Sequence, residues 1–244
     1  MAKVFLSAGH GGTDPGAVAY GLKEKDINLA VLLECKSELE RHSVTVIASR
    51  LKDEEDRLGE EVREANASGA SIAVSFHVNA GGGNGFEVFY FTASRHAQTL
   101  AKLCEKHVKA IGQNSRGVKS GNHLGWCKKT TMPSVLVESF FIDSTDREIG
   151  DTLAEQKAFG VAYAKAILEY LGIPYKEGEK MTKETVVAII KEYEAAKTRE
   201  PVGAWASAAW EKAKAKGIID GTMPKSPVTR EQLIVILDRI GLLK

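Results

Sequence analysis

The segment KVFLSAGHGGTDPGA, residues 3–17, sets the fold class of the chain. Residues 3–7 form a short apolar run that is followed by glycines and a proline, a pattern that predicts a buried strand leading into a loop. Apolar residues then recur at helical spacing among charges over 26–39, which predicts a helix. The chain therefore opens with a strand, a loop and a helix.

The same alternation continues to residue 174. We predict further strands over 44–48, 72–76, 85–91 and 134–137, and further helices over 58–67, 96–111 and 146–170, the last of which ends before Gly172 and Pro174. Strands that alternate with helices are typical of an α/β domain with three layers, in which a mostly parallel central sheet is flanked by helices.

A polar segment at 175–182 follows Pro174 and predicts a linker between two domains, 1–174 and 183–244. Helical spacing recurs at about 183–195, 205–216 and 229–240. The second domain is therefore predicted to be small and all-α.

Composition excludes several function classes. The formal net charge of the 244 residues is +1, without the basic excess that nucleic-acid binding usually requires, so we expect no nucleic-acid partner. No apolar stretch approaches the roughly 20 residues of a spanning helix, so we expect no membrane insertion. The N-terminus lacks the pattern of a signal peptide, which predicts synthesis in the cytoplasm. The three cysteines are far apart and are predicted to be free thiols.

Two histidines and two glutamates fall at predicted strand ends or just beyond them, the edge where open α/β sheets bind ligands. His10 follows the first strand, Glu24 starts the first helix, His77 follows strand 72–76 and Glu138 follows strand 134–137. Two imidazoles and one carboxylate suit zinc and leave a fourth position for water, whose pKa zinc lowers to about 7. A further carboxylate can then serve as general base.

Each of these residues also has a structural interpretation. A histidine at a strand end is often a hydrogen-bonded structural residue, and a glutamate in a first helical turn is favoured by the helix dipole. Glu138 directly follows Val-Leu-Val, so it must be paired, neutral or functional. Position alone leaves both interpretations open.

Four motifs in order resemble those of the zinc-dependent N-acetylmuramoyl-L-alanine amidases found among autolysins and phage endolysins. They lie within about residues 1–172 and read LSAGHGGTDPGA, GLKEKDINLA, SFHVNA and MPSVLVESFFIDSTDR. The resemblance implies Zn²⁺ as cofactor, with His10, Glu24 and His77 as ligands and Glu138 as catalytic base. It also implies cleavage of the amide between N-acetylmuramic acid and L-alanine, with peptidoglycan as substrate.

Several other residues are compared with the same family. Arg63 stands where the family often has an arginine, and residues 116–119 (RGVK) match a family turn. Asp143 stands where asparagine is common. We expect Trp126 to be a packing residue and His123 to lie at the surface.

The C-terminal segment, 205–243, resembles one S-layer-homology-type repeat of bacterial cell-wall proteins. The resemblance implies binding to wall polysaccharide, with Trp205 or Trp210 as a stacking face and Arg230 pairing with an anionic group. The alternative is that the tryptophans are core residues and Arg230 is a local brace. Since a single repeat binds weakly unless avidity helps, a homodimer through this domain is a further hypothesis.

The leading hypothesis is a phage endolysin that reaches the wall through a holin or after lysis. Two rivals stay open at this point. One is a zinc endopeptidase that cuts within the stem peptide, and the other is a non-catalytic wall-binding protein on an amidase fold.

Overall fold

The computed structural model describes residues 2–55, 57–177, 187, 190–193, 195–196, 201–216, 233–235 and 238. The chain divides into two compact units, Met1–Lys176 and Glu177–Lys244. The finer boundaries of the predicted linker, 175–182, stay a prediction.

The first unit is built on a six-stranded sheet with the order β4-β1-β5-β8-β6-β7. All neighbouring strands run parallel except β8 and β6, so the predicted α/β domain with a mostly parallel sheet flanked by helices is confirmed. A two-stranded hairpin, β2 and β3, lies outside this sheet. The strands are β1 (Lys3–Ala8), β2 (Val18–Ala19), β3 (Leu22–Lys23), β4 (Thr45–Ala48), β5 (Ile72–Asn79), β6 (Phe86–Tyr90), β7 (Ser115–Ser120) and β8 (Ser134–Phe141).

Five α-helices and one 3₁₀-helix accompany these strands among the described residues of the first unit. The predicted helix 146–170 is interrupted, because Ser144 caps a 3₁₀-helix and Thr152 caps a separate α-helix. The helices are α1 (Glu24–Arg41), α2 (Leu58–Ala67), α3 (Arg95–Ala110), α4 (Gly125–Lys129), the 3₁₀-helix (Thr145–Ile149) and α5 (Leu153–Tyr170). Within the described residues, no helix is both long and apolar enough to span a bilayer.

The two faces of the sheet are covered differently. One face carries the larger hydrophobic core, in which alternate residues such as Val74 and Phe76 of β5 pack against α1, α3 and α5. The opposite face carries a smaller core, where Phe5, Trp126 and Leu136 pack beneath α2 and α4. Farther along β5 and β8, this second face carries polar side chains. We call it the open face.

Two strand predictions were too short. β5 continues to Asn79 and β8 to Phe141, so His77 and Glu138 lie inside strands and do not follow them. Both point to the open face, where a charged side chain does not enter the larger core. The prediction of a turn at residues 116–119 was wrong, because these residues belong to β7.

In the second unit, the described residues include a 3₁₀-helix (Ala204–Ala206) and α6 (Ser207–Ala215), within the helix predicted at about 205–216. Trp205 is 92% exposed and Trp210 is half-buried. The exposure of Trp205 contradicts a core role for that side chain. Arg230 lies outside the described residues, as do most of the helices predicted at 183–195 and 229–240.

Candidate functional site

Three of the predicted site residues meet at one end of β1 and β5. One ligand atom from each of His10, Glu24 and His77 lies within 4.8 Å of the others. The Nε2 atom of His10 is 3.3 Å from Oε2 of Glu24, and Nδ1 of His77 is 3.0 Å from Oε1 of Glu24. The carboxylate thus lies between the two imidazoles, each facing one of its oxygens.

The loop after β1 orients His10. Its backbone is in the left-handed region, with φ of 64°, so the chain turns sharply as the strand ends. Paired backbone hydrogen bonds between Gly11 and Asp14 close this turn. The Asp14 carboxylate then lies 2.8 Å from Nδ1 of His10, which leaves Nε2 facing Glu24. A carboxylate that fixes the second nitrogen of an imidazole is a common partner of metal-binding histidines.

Glu24, the first residue of α1, is held in place by two backbone N–H groups from other parts of the chain. Its Oε2 accepts a hydrogen bond from the backbone N–H of Ala17 at 2.9 Å, and its Oε1 accepts one from Val78 at 3.3 Å. The side chain is buried. These contacts fix both oxygens without a side-chain cation such as lysine or arginine.

Two glycines make room for the cluster. A Cβ atom added to Gly9 would lie 2.0 Å from Cε1 of His77, and one added to Gly16 would lie 2.6 Å from Oε2 of Glu24. Gly16 also has a positive φ of 64°, which other residues rarely adopt. Sequence reasoning treated these glycines only as loop formers, because their role depends on side chains far along the chain.

The charge pattern of the cluster suits a divalent cation. Hydrogen bonding to Glu24 raises the pKa of His10 to about 9. Burial alone would lower the pKa of His77 and raise that of Glu24. Hydrogen bonds within the cluster reverse both shifts, because those with His10 and His77 lower the pKa of Glu24 and the one with Glu24 raises the pKa of His77. The Glu24 carboxylate thus favours positive charge between the two imidazoles. The three side chains offer two nitrogens and a carboxylate, a donor set that suits zinc. The residues present therefore fit this metal.

Glu138 stands beside this cluster and is not part of it. It is the direct cross-strand neighbour of His77, on β8. Its Oε2 atom is buried and has no hydrogen-bond partner among the described residues. Burial raises the pKa of Glu138 to about 7, against the opposing charge of His77. A carboxyl group in this state can gain or lose a proton near neutral pH.

A second carboxylate extends the row, and sequence reasoning missed it. Glu87 of β6 lies directly opposite Glu138. It is buried and accepts hydrogen bonds from Asn79 at 3.2 Å, from Lys119 at 2.6 Å and from Nε of Arg116. Burial would raise the pKa of Glu87, but these two cations lower it. The only sequence signal was a charged residue inside the apolar strand FEVFY.

A cavity of about 260 Å³ opens next to the imidazoles. Its walls are mainly apolar and come from α2, α4 and the strand ends, with Leu58, Leu124 and Leu136 among them. Glu61 lies in the wall and accepts a hydrogen bond from the Ser7 hydroxyl at 2.6 Å. The cavity offers space for an uncharged group of a substrate beside the candidate metal centre.

The remaining predicted residues of the first unit have structural contacts. Trp126 is buried and donates its indole N–H to the carbonyl of Val135, and His123 is exposed, as expected. Asp143 accepts the backbone N–H groups of two glycines at 81 and 82. Arg63 is exposed, and its guanidinium lies 3.8 Å from Glu60, away from the cavity wall formed by Glu61.

Comparison with known proteins gives one consistent result. The family model described as N-acetylmuramoyl-L-alanine amidase matches residues 4–169. An endolysin of Bacillus phage SPP1 is 35% identical over an alignment of 209 positions, and the match covers 78% of this chain and 76% of that protein. The N-acetylmuramoyl-L-alanine amidase CwlM of Bacillus licheniformis is 36% identical over 151 residues, 60% of this chain and 59% of that one.

A solved structure gives the same result for the fold. The catalytic domain of CwlV, an N-acetylmuramoyl-L-alanine amidase from Bacillus (Paenibacillus) polymyxa, superposes with a TM-score of 0.67 at 30% identity. The match covers 71% of this chain and all of that domain. The family model therefore lies within the first unit of the chain.

Proposed function

Because the chain belongs to the N-acetylmuramoyl-L-alanine amidase family, whose members depend on zinc, we propose that His10, Glu24 and His77 hold a catalytic Zn²⁺ and that Glu138 is the general base. One observation carries the proposal. Three convergent ligand atoms lie beside a buried carboxyl oxygen that has no other partner. Burying a carboxyl oxygen without a hydrogen-bond partner costs free energy. A role in contacting the substrate or a water molecule explains why it is buried here.

The division of labour follows from the side chains. When bound, zinc supplies a Lewis acid for the carbonyl and lowers the pKa of water to about 7. Glu138 accepts the proton of the attacking water and delivers it to the alanine nitrogen as the amide breaks. A carboxyl group with pKa about 7 suits both transfers, because it is neither fully protonated nor fully ionised at neutral pH.

The position of the cavity supports binding of the wall polymer across the open face. The scissile amide lies over His77 and Glu138, and an uncharged part of the substrate enters the cavity between α2 and α4. The rival reaction within the stem peptide has no counterpart among the relatives named above.

We further propose that the protein acts as an endolysin. The match with the endolysin of phage SPP1 covers 78% of this chain, a larger share than residues 4–169, which the family model matches. The second unit would retain the enzyme on wall polysaccharide through Trp205, with Trp210 and Arg230 as further contacts. The exposed ring of Trp205 supports this role, since sugar rings pack on exposed aromatic faces.

Digestion of purified peptidoglycan tests the catalytic proposal. We expect new amino termini on L-alanine, no new reducing ends, and loss of activity with a chelator that zinc restores. His77→Ala should lose both bound zinc and activity, whereas exposed His96→Ala should keep both. Full activity in the metal-free protein, or cleavage within the stem peptide, would contradict the proposal.

Sedimentation with intact walls tests the retention proposal. We expect Trp205→Ala to leave more protein in the supernatant than the wild type, while Lys214→Ala on α6 does not. Equal sedimentation of Trp205→Ala and wild type would exclude that contact. Light scattering tests the homodimer hypothesis, and a monomeric mass would exclude it.

A further inference from the structure

The charged row on the open face ends in a pair of cations whose arrangement the proposed chemistry does not explain. Arg116 and Lys119 both contact the buried carboxylate of Glu87, yet their side chains remain 43% and 36% exposed. One negative charge is thus shared by two positive ones. The pair has an excess of one positive charge and faces solvent on the side of the sheet that carries Glu138.

A β-bulge brings these two side chains to the same face. In a regular strand, residues three apart point to opposite faces. Between β6 and β7, however, Phe86 pairs with Ser115 and Val88 pairs with Val118, so β7 carries one extra residue. Gly117 takes up this residue with a φ of 92°, in the region that favours glycine. The bulge therefore places Arg116 and Lys119 together.

The guanidinium of Arg116 is also fixed in orientation. Its Nε donates to Glu87, and its central carbon lies 5.2 Å from the centre of the Phe141 ring. Gly83 allows that ring to pack closely, since a Cβ there would lie 2.4 Å from it. The two terminal nitrogens form no hydrogen bond with any residue in the described part of the chain. They form a fork that matches a carboxylate in geometry and charge.

We propose that Arg116, with Lys119, binds a free carboxylate of the stem peptide, the α-carboxylate of the residue that follows L-alanine. This inference rests on the proposed function. In peptidoglycan that residue is a glutamate joined through its side-chain carboxyl, which leaves its α-carboxylate free unless it is amidated. Standard bond lengths put this group roughly 6 Å from the scissile nitrogen. β6 lies between β7 and β8, so these two strands are about 10 Å apart. The Arg116 side chain extends across β6 toward β8, as its contacts with Glu87 and the Phe141 ring show, and this brings its guanidinium toward a substrate whose scissile amide lies over Glu138.

Glu87 acts in this proposal as a positioning residue. It lies between Glu138 on one side and the two cations on the other, and it also receives the amide of Asn79. It touches no substrate itself. Its carboxylate keeps Arg116 and Lys119 extended over the sheet.

A matched pair of substrates tests the proposal. The two are disaccharide tripeptides that differ only at the second residue, which carries a carboxylate in one and a carboxamide in the other. We expect wild-type enzyme to prefer the carboxylate. Arg116→Ala should lower kcat/KM on the carboxylate substrate by about tenfold or more, mainly through KM, and change the carboxamide substrate by less than about twofold. Exposed Arg95→Ala is the matched control.

Further variants keep the test decisive. Arg116→Lys retains the charge but loses the fork, and we expect an intermediate loss of the same selectivity. Glu87→Gln should also reduce selectivity, with a rise in KM and a smaller change in kcat. A tripeptide amidated only at its C-terminus keeps the second-residue carboxylate and so separates the two possible carboxylates; we expect Arg116→Ala to lower kcat/KM on it by the same factor as on the unmodified tripeptide.

Equal losses on both members of the pair, or no loss on either, would overturn the carboxylate site. That result is distinguishable from failure of the proposed function. The latter requires that wild-type enzyme release no L-alanine amino terminus from either substrate.

Discussion

The two faces of the central sheet carry different kinds of side chain. The face under α1, α3 and α5 is mainly apolar, and its aromatic side chains pack on one another. The open face is apolar only beneath α2 and α4, and then carries His77, Glu138 and Glu87 in one row across three strands. Stability is therefore concentrated on the first face and chemistry on the second.

The polar row is possible because its strands are anchored from behind. Neighbours of the row in sequence, such as Phe76, Val78 and Val137, are buried in the larger core. Each residue of the row therefore has at least one sequence neighbour that is anchored in the larger core, and this fixes the backbone beneath a charged group on the open face. Substitutions on the two faces should separate loss of activity from loss of folding.

The largest expected effect is that of Glu138→Gln on the open face. We expect turnover to fall by about 10²–10⁴-fold, the usual contribution of a general acid–base residue. The free energy of unfolding should stay the same or increase, because the variant replaces a buried carboxyl group that is partly ionised at neutral pH with an uncharged amide of similar shape. Release of L-alanine amino termini, zinc content and thermal unfolding measure the three quantities.

Glu64→Gln, an exposed change on α2, is the control for Glu138→Gln. A Glu138→Gln enzyme with more than about a tenth of wild-type turnover would argue against a role as general base. Loss of zinc in that variant would assign Glu138 to the metal cluster instead.

Phe159→Ala, in the larger core, should lower stability and leave turnover unchanged. Phe159 is fully buried on α5, with ring centroids of Phe140 and Tyr163 at 5.8 and 6.3 Å. We expect the free energy of unfolding to fall by about 3–5 kcal/mol, while turnover per folded molecule is unchanged. Denaturant unfolding and activity at low temperature test both parts.

Leu153→Ala lies on the same helix but is 59% exposed, so it should change stability by less than about 0.5 kcal/mol. If Phe159→Ala reduced turnover as strongly as Glu138→Gln, the two faces would not be separable in this way.

Much of this division could be predicted from the sequence. The apolar runs at 3–7, 72–76 and 134–137 indicate strands, and the positions and motifs of the sequence predict His10, Glu24, His77 and Glu138 as site residues. Periodicity succeeds where a strand is buried on both faces, because every residue is then apolar.

The open face was predicted less well for the same physical reason. The predicted strand β8 ends at Val137 because Glu138 interrupts the apolar run, although the strand continues under the polar row. The turn predicted at residues 116–119 rests on the family resemblance, and the bulge at Gly117 breaks the alternation that would indicate a strand there. The cationic partners of Glu87 are 29 and 32 residues away in sequence, so no local pattern reveals them.

Gly9→Ala tests whether the open face depends on close backbone approach. The added Cβ would lie 2.0 Å from the ring of His77, so the ring must move. We expect turnover to fall by up to about 10²-fold, as a displacement of about 1 Å can cause, with weaker zinc binding. The control is Gly59→Ala on α2, where an added Cβ has no neighbour within 4 Å. Unchanged turnover in Gly9→Ala would place the metal centre elsewhere.

Asp14→Ala tests the orientation of the His10 ring. The carboxylate lies 2.8 Å from Nδ1 of His10, and loss of such a partner typically weakens metal affinity by about 10–100-fold. Since Asp14 is largely exposed, we expect the lower end of this range. Competition with a zinc chelator measures the affinity. Asp14→Asn should restore part of it, and an affinity equal to wild type in Asp14→Ala would show that the ring is held by other contacts.

The smallest effect is expected at Thr152, which caps the start of α5. Thr152 and Glu155 form a capping box, in which each side chain accepts a backbone N–H of the other residue. Thr152→Ala should lower the free energy of unfolding by about 1 kcal/mol, and Thr152→Ser should restore most of it, with turnover unchanged in both.

The contribution of this cap should also depend on pH. Hydrogen bonds from Thr152 lower the pKa of Glu155, so the folded protein holds the ionised form more strongly than the unfolded chain does. The associated stability is present above the ordinary glutamate pKa of about 4.3 and is lost as the pH falls through the lower folded value. The difference in unfolding free energy between wild type and Thr152→Ala should therefore be constant near neutral pH and shrink in acid. A difference that grew in acid would contradict the cap as its cause.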